Sequence, residues 1–265
     1  MGSFTVKKEY TVDDLIDLVE RLRDPETGCP WDKVQTHESI RQNFIEETYE
    51  ACDAIDKGDK TLLCEELGDV LLQVMLHAEI ERQSGGFDIN DVATGICSKL
   101  VYRHPHIFGD VVAEDSATVL SNWEDIKRVE KGQHSGSDSV HDVAKALPAL
   151  TRSQKVQKRA GYVGFDYPDA EWAIKDLKSE VDELERALSG DGDIEEELGD
   201  LLFSCVNVAR FTKVDSELAL TKSCEKFIKR FDAVERLAAE RGIDMKTADI
   251  NTLTALWNVA KQETV

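Results

Sequence analysis

The chain has 265 residues, 41% of them hydrophobic and 32% charged, which suits one large or two ordinary domains with helix-rich, charged surfaces. Its formal net charge of −21 speaks against a nucleic-acid backbone or an anionic membrane as partner, although local Lys and Arg plus a metal can still receive a small anion. Six cysteines without a C-x-x-C pair, no signal peptide and no apolar run of membrane-spanning length lead us to expect reduced thiols in a cytoplasmic protein.

Residues 11–23 have an apolar face of Leu15, Leu18, Val19 and Leu22 behind the cap Thr11, which predicts an amphipathic helix. A loop follows, with Cys29-Pro30-Trp31-Asp32 at its centre; its Trp is either a packing anchor or a stacking surface. Helices are predicted over 37–57 and from Thr61 to about Arg82, broken by Gly58-Asp59 and stopped by Ser84-Gly85-Gly86. Another runs from Asn90 to Arg103, where His104-Pro105-His106 reads as a turn rather than a metal site. A helix over 116–131 carries Trp123 and Lys127. The Gly/Ser-rich stretch 132–143 predicts a linker, giving units 1–131 and 147–265 with 132–146 between them. Beyond it, helices are predicted over 150–160, over two segments flanking the turn Ser189 to Asp193, from Asp215 to Glu240 and from Asp249 to Lys261, with a loop at 161–168. No segment alternates as a strand would. The expected fold is all-α: two tandem repeated helical domains, each with a four-helix-bundle core.

The two halves repeat one order of residue types. Glu47 and Glu50, three apart and so on one helical face, are followed by Glu66 and Asp69; Glu180 and Glu183 are followed by Glu197 and Asp200. The second pairs sit in EELGDVLLQV and EELGDLLFSC, and 133 residues separate Glu47 from Glu180. Lys99/Arg103 correspond to Lys226/Arg230, and Trp123/Lys127 to Trp257/Lys261. A helical hairpin would gather four carboxylates beside apolar residues, where they repel and are costly to desolvate; a hard divalent cation, Mg²⁺ first and Mn²⁺ as a substitute, relieves that cost. Lys226 and Arg230 could clamp a polyphosphate, Trp257 could stack on a base, and Lys261 could reach a phosphate. A spare acid such as Glu196 could take a proton from water. No phosphate-binding Gly-rich loop is present.

This order, together with RLRDPETGCPWDKVQTHESI, RHPHIF and KVQKRAGYVGFDY, resembles the MazG family of nucleoside triphosphate pyrophosphohydrolases over nearly the whole chain. The resemblance implies tandem all-α domains, a homodimer, Mg²⁺ dependence, and cleavage of nucleoside triphosphates to monophosphate and pyrophosphate by the C-terminal domain. It assigns metal ligation to Glu180, Glu183, Glu197 and Asp200 and nucleotide contacts to Lys226, Arg230, Trp257 and Lys261. A possible second metal site is Glu47, Glu50, Glu66 and Asp69. Members carry a Lys four residues before the first C-terminal metal Glu; here that position is Asp176, and Lys175 and Lys178 are expected to substitute. Asn207, seven residues after Asp200, is a substrate contact that the first half replaces with Leu76, so turnover is expected in the C-terminal half. The competing readings are a base-restricted dUTPase- or dCTPase-like hydrolase, a non-catalytic helical dimer and a di-iron bundle. The last would need Glu-x-x-His motifs that the quartets lack.

Overall fold

The structure, a computed structural model, describes residues 5–109, 126 and 129–264. Among them eleven α-helices form and no strand does. In chain order they are α1 (Val12–Leu22), α2 (His37–Lys57), α3 (Lys60–Ser84), α4 (Ile89–Arg103), α5 (Pro105–Phe108), α6 (Gly136–His141), α7 (Ala149–Tyr162), α8 (Ala170–Leu188), α9 (Ile194–Phe211), α10 (Ser216–Glu240) and α11 (Ile250–Glu263). The chain divides into two compact units, 1–124 and 125–265.

Short polar side chains set the helix starts. Thr11 and Asp14 form a reciprocal capping box on α1, and Asp59, Asp169 and Asp193 each accept backbone N–H bonds at the starts of α3, α8 and α9. Gly58 ends α2 in the left-handed conformation (φ 67°), and Asp59 opens α3 at once, so two residues suffice to fold α2 back on α3.

In the first unit α1 and α4 pack on α3 beside the α2–α3 hairpin. Val19, Ile40, Met75 and Leu76 are buried together there, with Leu15, Ile16 and Leu72 against them. In the second unit α8 and α9 form the matching hairpin, α7 packs on α9, and α10 pairs with α11 around Val234, Leu237, Ala238, Leu256 and Ala260. At about 25 cal/mol per Å² of apolar area removed from water, such small clusters leave much helix face uncovered. Leu198 and Leu202 on α9 remain 46% and 50% exposed. No helix among the described residues is long and apolar enough to cross a membrane.

The expected linker departs from a featureless chain. Ser135 and Asp138 form a capping box that starts α6. Arg159 of α7 donates to the Ser139 carbonyl and pairs with Asp142 at 3.1 Å, and Val143 is buried. The Gly/Ser composition of this stretch concealed a cap, and a tertiary partner supplies the stabilisation that local apolar residues lack. Trp31 is 56% exposed, so it is not a packing anchor within the chain. His104 hydrogen-bonds the Leu100 carbonyl at 2.6 Å, as a turn residue would. Most of the helix expected over 116–131, with Trp123 and Lys127, lies outside the described residues.

Candidate active site

The spacing of acids on α8 and α9 decides what the hairpin presents. Glu180 and Glu183 lie one turn apart on α8, and Glu197 and Asp200 one turn apart on α9, so antiparallel packing sets the two pairs face to face. Glu180, Glu183 and Glu197 each offer an oxygen within 4.8 Å of the others. Asp200 is close enough to act electrostatically on Glu180 and Glu197. Burial, then the charges of Asp176, Glu183, Asp200 and Glu197, push the Glu180 carboxyl above its usual range. Burial, then Glu183, Glu196 and Asp200, do the same to Glu197, while Arg186 works against them. Arg186 stands 3.5 Å from Glu183 on the open side and offsets only part of this charge. Such an acceptor-only cluster fits a hard divalent cation: oxygen ligands, excess negative charge and mutual repulsion.

A cavity of about 600 Å³ adjoins the acids. Its lining combines Asp176, Glu180 and Asp200 with Gln157, Tyr167, Phe165, Phe203, Ser204, Asn207 and Arg210. Asp176 sits one turn before Glu180, and the Ser204 hydroxyl donates to it at 2.7 Å. Burial and the neighbouring Asp176 carboxylate push the Tyr167 hydroxyl up to about 12. Arg210 donates to Asp166 (2.8 Å) and to the Asn207 side-chain oxygen (2.7 Å), tying α9 to the loop after α7. Gly161 makes this possible, because a Cβ there would lie 2.5 Å from the Asp166 carboxylate. Gln157, 7% exposed, donates to the Phe203 carbonyl at 2.7 Å, and its own oxygen has no partner.

The other site residues expected from the sequence fall elsewhere. Lys175 and Lys178 do not line this cavity. They lie round the helix from Asp176 and Glu180 and border a separate depression, where Lys175 stands 4.8 Å over the Trp172 ring. Lys226, Arg230, Trp257 and Lys261 are not in the cavity wall either. The structure does bring Arg230 and Trp257 together, guanidinium 6.0 Å from the ring, and Trp257 packs against Phe227 and the α10–α11 core. Glu196 stands beside Glu197 in the first turn of α9, close enough to raise it. In the first unit Glu47, Glu66 and Asp69 form a comparable cluster, and burial and mutual charge raise Glu47 and Glu66, Glu50 contributing to both.

Sequence reasoning did not assign Gln157, Tyr167, Ser204 or Arg210, and it saw Asp176 only as a departure. The signal for Ser204 was available: Asp200, Ser204 and Asn207 form a polar stripe along one face of an apolar helix.

Fold and site thus define an all-α protein with carboxylate clusters on paired helices, one of them opening on a cavity. The pattern of the MazG nucleotide pyrophosphohydrolase domain matches residues 35–108 and 170–234. The chain is 43% identical over 258 residues to a nucleoside triphosphate pyrophosphohydrolase of Escherichia coli K12, covering 96% of this chain and 98% of that protein. It is 43% identical over 249 residues to the nucleoside triphosphate pyrophosphohydrolase/pyrophosphatase MazG of Thermotoga maritima, covering 94% and 95%. An uncharacterized protein of Bacillus subtilis is 46% identical over 248 residues, covering 92% of this chain and 50% of that protein. The chain belongs to the MazG family.

Proposed function

We propose that the chain is a divalent-cation-dependent nucleoside triphosphate pyrophosphohydrolase working in its second unit, splitting the α–β anhydride to nucleoside monophosphate and pyrophosphate. The observation that carries this reading is the meeting of three carboxylates, each with an oxygen within 4.8 Å of the others, at the edge of a cavity large enough for a nucleoside. Glu180, Glu183, Glu197 and Asp200 would hold Mg²⁺, with Mn²⁺ as a substitute. Bound there, the cation would supply Lewis-acid polarisation of a phosphoryl oxygen and favour ionisation of water. The protein's own share is to hold the acids in place, wall the nucleoside off from solvent and accept a proton. Glu196, beside Glu197 and outside the three-acid cluster, is suited to that acceptance.

The activity for which the relatives are named supports the reaction class, and we extend it to both ribo- and deoxyribonucleotides as a house-cleaning activity on the nucleotide pool. The exposed apolar faces of α8–α10 support a homodimer, and a second copy is the way we propose Lys226, Arg230 and Lys261 reach the phosphates. Product analysis with Mg²⁺ and each nucleotide tests the reaction. Monophosphate and pyrophosphate in equal amounts are expected. Inorganic phosphate as the first product would overturn the cleavage position. A panel in which only dUTP or dCTP is cut would replace this reading with the base-restricted one.

A further inference from the structure

The cavity wall is chemically lopsided. Apart from the Asn207 amide, its donors bond within the protein: Ser204 to Asp176, Gln157 Nε2 to the Phe203 carbonyl, and Arg210 to Asp166 and Asn207. Tyr167 is turned to Asp176 as well. Arg210 occupies the Asn207 oxygen and leaves only that amide's N–H groups for a ligand. The acceptors are in surplus. The Gln157 oxygen is itself shut off from solvent and does not face a ligand, so the surplus rests on Asp176. Asp176 has about four lone-pair sites, more than its neighbours fill. A buried acceptor without a partner is costly, so a ligand that brings a donor gains where one that brings another oxygen loses. Asp176 also lies one helical turn, about 5.4 Å, from Glu180. If the acids hold the phosphates, this is the depth of the next segment of a nucleotide.

We propose that the cavity holds the nucleoside and that Asp176 is its specificity-determining acceptor, taking a hydrogen bond from a nucleoside donor, either a base amine or a ribose hydroxyl. The inference rests on the hydrolase reading for the phosphates but not for the cavity. Ser204 and Tyr167 are positioning residues: they fix the Asp176 carboxylate.

The test compares kcat/KM for ATP against ITP, CTP against UTP and ATP against dATP, in wild type and Asp176→Asn. A base amine as the donor predicts that ATP and CTP lead ITP and UTP by ~10-fold or more in wild type. That lead falls or inverts in Asp176→Asn, whose amide can donate to an oxo group, while ATP:dATP stays put. A ribose hydroxyl as the donor predicts the converse, a fall in ATP:dATP alone. All three ratios unchanged while activity falls equally would overturn the proposal and leave Asp176 a support for Glu180. The same ratios are read as Kd for AMP, IMP and dAMP by calorimetry. Absence of turnover then counts against the hydrolase reading alone, and flat Kd ratios count against the inference alone. If Asp176→Asn does not fold, Ser204→Ala and Tyr167→Phe, which release the Asp176 carboxylate, move the ratios in the same direction, and unchanged ratios in both sink the proposal.

Discussion

The two acid clusters are near copies set on different floors. Glu47, Glu66 and Asp69 gather in the first unit as Glu180, Glu183 and Glu197 do in the second. Beneath them the units diverge. Seven residues beyond Asp69 lies Leu76, 4% exposed and packed with Val19, Ile40 and Met75; seven beyond Asp200 lies Asn207, in a cavity wall and bonded to Arg210. The buried residue of α1 is Val19, whereas that of α7 is Gln157. Four residues after the last acid come Gln73, buried, and Ser204, whose short side chain leaves room and reaches Asp176. One hairpin therefore seals its metal-type cluster over an apolar core, and the other opens its cluster on a recess where polar side chains stand among apolar ones. Carboxylate spacing gives a place for a cation; what lies one and two turns away gives a place for the rest of a substrate.

The comparison breaks most decisively at the acids. Glu197→Ala/Asp200→Ala is expected to lower kcat/KM by on the order of 10³-fold, since an electrostatic group at the reacting centre is lost. Glu66→Ala/Asp69→Ala should stay within a few-fold of wild type. Equal losses in the two doubles, measured by pyrophosphate release, would mean two working sites or strong coupling between them.

Exchanging the floors sharpens the contrast. Asn207→Leu should cost ~10- to 100-fold in kcat/KM through a polar partner beside the site, while Mg²⁺ binding by calorimetry is retained. The reciprocal Leu76→Asn should confer no activity. It should destabilise by about 3 kcal/mol, because it removes a buried apolar side chain and leaves an amide in its place. Chemical denaturation reads this, and an unchanged midpoint would show that the first unit's floor is not a core.

The polarity of the acids gives a pH signature. The folded-state pKa of Glu180 lies above its ordinary 4.5, so the folded chain binds more protons there than the unfolded one. Without metal this group favours folding most below about 4.5, and that contribution is lost as pH rises through the raised folded value. Glu180→Gln removes the titration. In EDTA its Tm relative to wild type should therefore climb between pH 4.5 and 7.5. With Mg²⁺ in excess the order reverses, because bound ligand at a hundred times its Kd adds about 2.7 kcal/mol to wild type. A variant-to-wild-type difference that is flat in pH would mean the acids do not strain one another.

Much of this was legible before the fold. Helix boundaries at Thr11, Gly58 and Gly242 are local chemistry, and the acid quartets follow from i,i+3 spacing repeated across the chain. The cavity was not legible, because it is made by α7 laying Gln157 against α9 and by the loop residues Asp166 and Tyr167, contacts that span 46 residues for Gln157 and 44 for Asp166. Periodicity says which face of a helix is polar, not which neighbour it meets. Lys175 and Lys178 show it: neighbours of Asp176 in sequence, they border a different depression on other sides of the same helix. The placement of Trp257 shows the reverse limit. A side chain suited to stacking on a base is, within the chain, packed on Phe227 and beside Arg230.

The smallest expected effect concerns the latch whose charge is reversed in the first unit, where Glu79 stands at the position of Arg210, ten residues beyond the last acid. Arg210 holds two partners at once, Asp166 and the Asn207 oxygen, through a planar fork that Lys does not reproduce. Arg210→Lys keeps the charge, so the acids and any bound cation see nearly the same field, but Asn207 loses its fixed amide orientation. The expected result is a rise in KM of ~10-fold with kcat little changed. The Arg210 guanidinium holds the Asp166 carboxyl below its ordinary 3.8, so this pair contributes above about 3.8 and is lost only as pH falls through the lowered folded value. Between pH 5 and 8 the variant-to-wild-type ratio of KM should accordingly be constant. A ratio that varied across that range would place a titrating group in the latch that the Asp166–Arg210 pair does not contain. A fall in kcat at constant KM would show that the latch supports the acids rather than the nucleoside recess.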